Sequence, residues 1–114
     1  MTSLLQLAPD GPRIRTAQDA MDLIATTFVP DGAETIVVPV ERLDPDFFRL
    51  ATGVAGEVVQ KFVNYRRRLV VLGDVSGHIT RSDAFRDWVR EVNRGHDVRF
   101  VATAAELDGA FGAA

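Results

Sequence analysis

The sequence predicts a single α/β domain on a mostly parallel sheet, with an N-terminal hairpin and about four helices. Three observations carry that expectation. The runs TIVVPV (35–40), RLVVLGD (68–74) and DVRFVA (97–102) read as short buried strands, and the first is β-branched with no polar alternation, the pattern of a strand covered on both faces. Helix-period segments separate them, and strands that alternate with helices imply right-handed crossovers within a parallel sheet. The length of 114 residues, with 46% hydrophobic and 25% charged, suits one domain with its own core, spanning 1–114.

Each element has a local reason. SLLQLAPDGPRIR holds two short extended candidates, Leu4–Leu7 and Arg13–Arg15, with Asp10-Gly11-Pro12 as the turn of the expected hairpin. Residues 1–12 alternatively form an edge strand or a flexible N-terminus. TAQDAMDLIATTF reads as a helix capped by Thr16, burying Ala17, Ala20, Met21, Ile24 and Phe28 and ending at Pro30-Asp31-Gly32. Pro39 removes a ladder donor and closes the strand that follows. A helix from about Thr52 to Tyr65 buries Val54, Val58, Val59, Phe62 and Val63. VSGHITRS reads as a loop. SDAFRDWVREVNRG is a helix capped by Ser82 and stopped by Gly95, with Phe85, Trp88, Val89 and Val92 inward. TAAELDGAF closes the chain as a helix with a Thr103–Glu106 capping box and the apolar set Leu107, Ala110 and Phe111.

Composition removes several functions. The absence of cysteine excludes a disulfide scaffold, a thiolate zinc site and a cysteine nucleophile. A net charge of −3 argues against nucleic acid, whose phosphates call for a basic excess. The N-terminus lacks the basic and apolar regions of a signal peptide, and no apolar run is long enough to span a membrane, so the expected location is cytoplasmic. The two histidines, His78 and His96, belong to no metal-ligand motif, and neither a Walker loop nor GxGxxG is present. No catalytic constellation, metal or cofactor is expected.

Two resemblances add to this reading. DFFRLATGVAGEVVQKFVNYRRRLVVLGDVS together with EVNRGHDVRFV resembles the bacterial domain-of-unknown-function family 4180 from about Arg13 to Phe111, and TGxAGExxQKFVNYR is its most specific run. That resemblance implies no activity. The element order is also similar to STAS domains, the sulfate-transporter and anti-sigma-factor-antagonist fold. There a strand, a short loop and Asp-Ser-Ser-Gly-Leu-Gly open a helix before the next strand. Leu50 to Gly56, LATGVAG, falls at that place, so the resemblance implies that Thr52 matches the phosphoacceptor serine and Gly53 the glycine after it. Leu50 stands where the pattern has aspartate, and Ala51 replaces the first serine. What the resemblance implies is a partner-switch surface, without a catalytic centre.

The first candidate surface is therefore Thr52, Gly53, Gly56, Glu57, Gln60 and Asn64. A helix N-terminus exposes unpaired N–H groups, and glycine permits close approach. The same residues also read as a self-capping helix whose Gly56 packs tightly on the sheet and whose polar stripe is solvated, with Glu57 and Lys61 as an i,i+4 pair. Arg66-Arg67-Arg68 complements the helix C-terminus or offers a small cationic patch for phosphate or nucleic acid. The second candidate is a ligand site at the carboxyl ends of the strands, lined by Glu41, Asp74, Ser76 and His78, where open parallel sheets bind ligands. Three neighbours on one loop rarely reach triad geometry, so a structural turn competes with that site. The functions to weigh are a small non-enzymatic STAS-like regulatory or protein-interaction module, binding a protein or itself as a homodimer, and a small-molecule-binding protein or accessory enzyme with its site at a dimer interface.

Overall fold

The computed structural model describes residues 4–109. Four strands form one all-parallel sheet in sequential order: β1 (Leu4–Gln6), β2 (Thr35–Pro39), β3 (Arg68–Leu72) and β4 (Val98–Val101). Helices α1 (Ala17–Ala25), α2 (Val54–Asn64), α3 (Ser76–Arg81) and α4 (Asp83–Arg94) fill the connections. Right-handed crossovers between successive neighbours carry every connecting helix to the same face of a sheet. The packing agrees. Ala20 and Ile24 of α1, Ala55, Val58 and Phe62 of α2, and Phe85 and Val89 of α4 share one core with Ile36, Val38, Leu69, Val71 and Val98. The opposite face holds a smaller cluster, Val37, Val70 and Val101, with Leu72 and Leu107 against it. β2 is thus buried along its whole length, as its unalternating sequence predicts.

Several expectations need correction. The N-terminal hairpin does not form: Leu4, Leu5 and Gln6 pair in parallel with Thr35, Ile36 and Val37. Arg15 is not in a strand, and Ile14 makes only a single parallel bridge to Leu43. The reason lies in α1, which turns the first unit into a β–α–β crossover and makes β1 an edge strand. The Arg42 guanidinium holds the intervening loop by donating to the carbonyls of Pro12 (2.7 Å) and Ala8 (3.0 Å). Phe28 is half exposed because α1 stops at Ala25, before the expected stripe is complete. Val63 is likewise 38% exposed. Residues 76–81 are helical where a loop is expected. The chain after β4 is a 3-10 segment, Ala104–Gly109, in which Glu106 accepts from the Ala102 amide (3.0 Å). The expected helix positions Ala110 and Phe111 lie outside the described residues.

Capping chemistry fixes two helix starts as predicted. Thr16 and Asp19 form a reciprocal capping box at α1, and Ser82 Oγ accepts from the Phe85 amide (3.1 Å) at α4. α2 ends in a Schellman arrangement: the Arg67 amide donates to Phe62 O (2.9 Å) and Arg66 to Val63 O (3.1 Å). Arg66 occupies the left-handed position there, φ 56°, where glycine is the usual residue.

Gly73, at the end of β3, is irreplaceable for a steric reason. Its φ is +142°, and a Cβ built on it lies 1.8 Å from Val40 Cγ2. Gly73→Ala is expected to cost at least about 2 kcal/mol, from overpacking and backbone strain together. Urea denaturation measures it, and Val40→Ala in the Gly73→Ala background is expected to recover part of the loss.

Candidate functional site

The connection from β2 to α2 is the most elaborate in the fold. After Pro39 the chain passes through 3-10 turns at Val40–Arg42, Pro45–Phe48 and Leu50–Thr52. The Asp44 carboxylate caps the second by accepting from the Asp46 amide (3.2 Å). Gly53, φ +79°, then redirects the chain into α2, so the helix starts at Val54 rather than Thr52. Thr52 braces this corner. Its Oγ1 donates toward the carbonyls of Asp46 (2.7 Å) and Arg49 (2.8 Å) and accepts from the Val54 amide (3.3 Å).

Gly53, Gly56, Glu57, Gln60 and Asn64 all lie on the exposed side of the chain through α2. A Cβ built on Gly56 meets nothing within 4 Å, so tight packing on the sheet is not the reason for that glycine. Gln60 Nε2 donates to Asn64 Oδ1 (2.8 Å). Among the described residues no ion pair joins Glu57 to Lys61. At its C-terminal end this face runs into an apolar patch. Phe28, Val29, Val63 and Tyr65 are 50%, 59%, 38% and 39% exposed. The Phe28 and Tyr65 rings lie 5.9 Å apart, and the Arg67 guanidinium sits 4.4 Å from the Phe28 centroid. Arg67 is itself anchored, since its Nε donates to Thr27 Oγ1 (2.8 Å). Exposed aromatics held this way are preorganised surface.

The structure distributes Glu41, Asp74, Ser76 and His78 over three neighbouring recesses at the carboxyl edge of the sheet. Glu41 lines one of about 270 Å³ with Gln6, Pro39 and Thr103. Asp74 and Ser76 line another of about 280 Å³ with Asn93 and Glu106. His78 lines the largest of the three, about 580 Å³, with Pro45, Phe48, Arg49 and Arg81. Asp74 lies just before α3, and the Ser76 amide donates to its Oδ1 (2.9 Å). Hydrogen bonds from the Ser76 hydroxyl, and then from its amide, hold the Asp74 carboxyl below the usual carboxylate range. The His78 ring turns away from both and stacks on Phe48, with centroids 4.0 Å apart and planes 5° apart. Burial, and secondly the Arg81 charge, push its pKa below the usual histidine value.

Sequence reasoning missed Phe28, Tyr65, Phe48, Arg49 and Arg81. A signal existed for the last three. Reading residues 76–81 as a helix places His78 and Arg81 on one face at i,i+3 spacing, opposite the Phe47-Phe48 pair.

The family model described as "Domain of unknown function (DUF4180)" matches residues 1–111. The chain belongs to that family. No curated protein and no solved structure matches it. Among the described residues, no helix is long and apolar enough to cross a membrane.

The His78 environment generates a pH prediction. Phe48 and Phe85 flank the ring and Arg81 is the charge acting on it. A lowered folded-state pKa means that His78 stabilises the fold when neutral, fully so above the unfolded value near 6.5. That contribution is lost as pH falls through the lower folded value. His78→Phe is expected to flatten stability against pH in this acid window. An NMR titration of the His78 ring is expected to give a midpoint below the usual histidine value.

Proposed function

We propose that this protein is a small, non-enzymatic protein-interaction module of STAS-like type, working in the cytoplasm through the outer face of α2 and the patch beyond it. The observation that carries the reading is the continuity of that surface. Gly56, Gln60 and Asn64 run along the exposed helix into Val63, Tyr65, Phe28 and Val29, four of the five large hydrophobic residues left exposed among the described ones. Contiguous exposed apolar surface beside polar residues is characteristic of protein contacts. The STAS-like part of the reading rests on the alternation of strand and helix, with Thr52-Gly53 at the corner before α2.

The chemistry of the face favours a second copy of the chain as partner. A two-fold contact must be self-complementary. Gln60 and Asn64 each carry both donors and an acceptor, so their amides can pair with their own kind. The nearby charges, Glu57 and Lys61, are one of each sign. Gly56 lets a facing backbone come close. Thr52 is not proposed as a phosphoacceptor, because its hydroxyl already braces the corner through Asp46 and Arg49.

Sedimentation across a concentration series tests the proposal. The wild type is expected to pass from monomer to dimer. Tyr65→Ala is expected to weaken the dimer by more than about tenfold, the scale for an aromatic anchor at an interface. Gly56→Arg is expected to give a monomer. Both variants keep a cooperative urea transition, because neither side chain is buried in the core. Gly56→Ala is expected to raise monomer stability by about 0.5–1 kcal/mol, since the helix gains a better former in open space. A wild type that stays monomeric throughout, or variants that dimerise normally, would overturn the proposed surface.

A further inference from the structure

The recess beside His78 is chemically distinct from the α2 face and stands independently of it. Phe48, Leu50 and Ala84 supply apolar wall, and Arg49 and Arg81 supply charge. No aspartate or glutamate lines it, on a chain whose net charge is −3. The arginines differ from others in the fold. Arg42 and Arg67 are tied to carbonyl or hydroxyl oxygens, and Arg86 is paired with Asp83 and Asp87. The side chains of Arg49 and Arg81 make no ion pair or hydrogen bond among the described residues. His78, stacked on Phe48, contributes a neutral ring at pH 7 and leaves the guanidiniums as the local charge.

We propose that this recess, between the Pro45–Thr52 segment and α3, is a binding site for a small organic anion that carries an apolar body and one carboxylate or phosphate group. The volume of about 580 Å³ lies within the range of small-molecule sites. Guanidinium groups bind carboxylate and phosphate through two parallel hydrogen bonds, stronger than neutral pairs. The apolar wall selects for the body of the ligand, and the absence of an acidic lining removes the repulsion that an anion meets elsewhere on this chain. The rigid Phe48–His78 stack fixes one side of the recess, so less order has to be imposed on binding.

The test is an NMR titration of the isotope-labelled full chain at low salt with benzoate, phenyl phosphate and neutral benzyl alcohol. At least one anion is expected to give saturable shifts at the amides of Leu50, Ala51 and Ala84 and at the His78 ring, and benzyl alcohol none. The stronger of the two anions identifies the headgroup. Arg49→Gln and Arg81→Gln are each expected to weaken binding at least about fivefold, the scale of a charge-assisted hydrogen bond. Both positions are exposed, so both variants fold. The proposal is overturned if neither anion saturates, if benzyl alcohol binds as well as the anions, or if both arginine variants bind like the wild type.

Discussion

Everything in this fold depends on the parallel pairing of β2 with β3, in register from Thr35 opposite Arg68 to Pro39 opposite Leu72. Both strands are interior to the sheet, and their valines alternate between the two faces. Val38 and Val71 pack under the helices, while Val37 and Val70 pack on the far side. Burial on both faces makes the register unforgiving, because a slip of one residue exchanges the two sets. Sequential strand order adds a second constraint, since each right-handed crossover returns to the same side. One helical layer therefore carries almost the whole core, and the far side is left to a few valines with Leu72 and Leu107.

That arrangement gives the molecule two unlike poles. Helices run back against the strands, so α1 and α2 both end at the amino edge of the sheet, where Phe28 and Tyr65 meet. The carboxyl edge instead receives every strand exit. There Gly73 must pass beside Val40, and the chain between β2 and α2 folds through its 3-10 turns rather than entering the helix directly. Those turns move Phe48 and Arg49 across to α3, and the stack of Phe48 on His78 joins the two connections. The apolar patch and the His78 recess thus arise from opposite ends of the same layer.

The parts that were legible in the sequence are those set by local chemistry. β2 and β3 announce themselves through unbroken β-branched runs, and Thr16 and Ser82 through capping geometry. The parts that were not legible depend on distant partners. Leu4–Gln6 looks the same whether it forms a hairpin or a parallel edge, and only its pairing with β2 decides. Phe28 fits the α1 stripe by spacing, yet the helix ends before it and Thr27 turns back to bond Ile24 O (2.6 Å). The site shows the same division. Asp74, Ser76 and His78 are neighbours in sequence, but the α3 helix directs His78 toward Phe48 while Asp74 accepts from the Ser76 amide behind it. A short helix with a weak start and no apolar period offers little for a pattern to detect.

Gly56 is the point at which local preference and observed structure disagree most. A glycine within a helix costs about 0.5–1 kcal/mol against alanine. Close packing is the ordinary compensation, and it is absent, since a Cβ there would meet only open space. Gly53 differs, because its left-handed backbone favours glycine whatever surrounds it. Conflicts between local preference and fold concentrate at functional positions, where stability is given up for something else. On the proposed docking face, the compensation for Gly56 comes from outside the monomer. A neighbouring backbone seated on bare helix would provide it, with Gln60 and Asn64 one and two turns further along to fix its register.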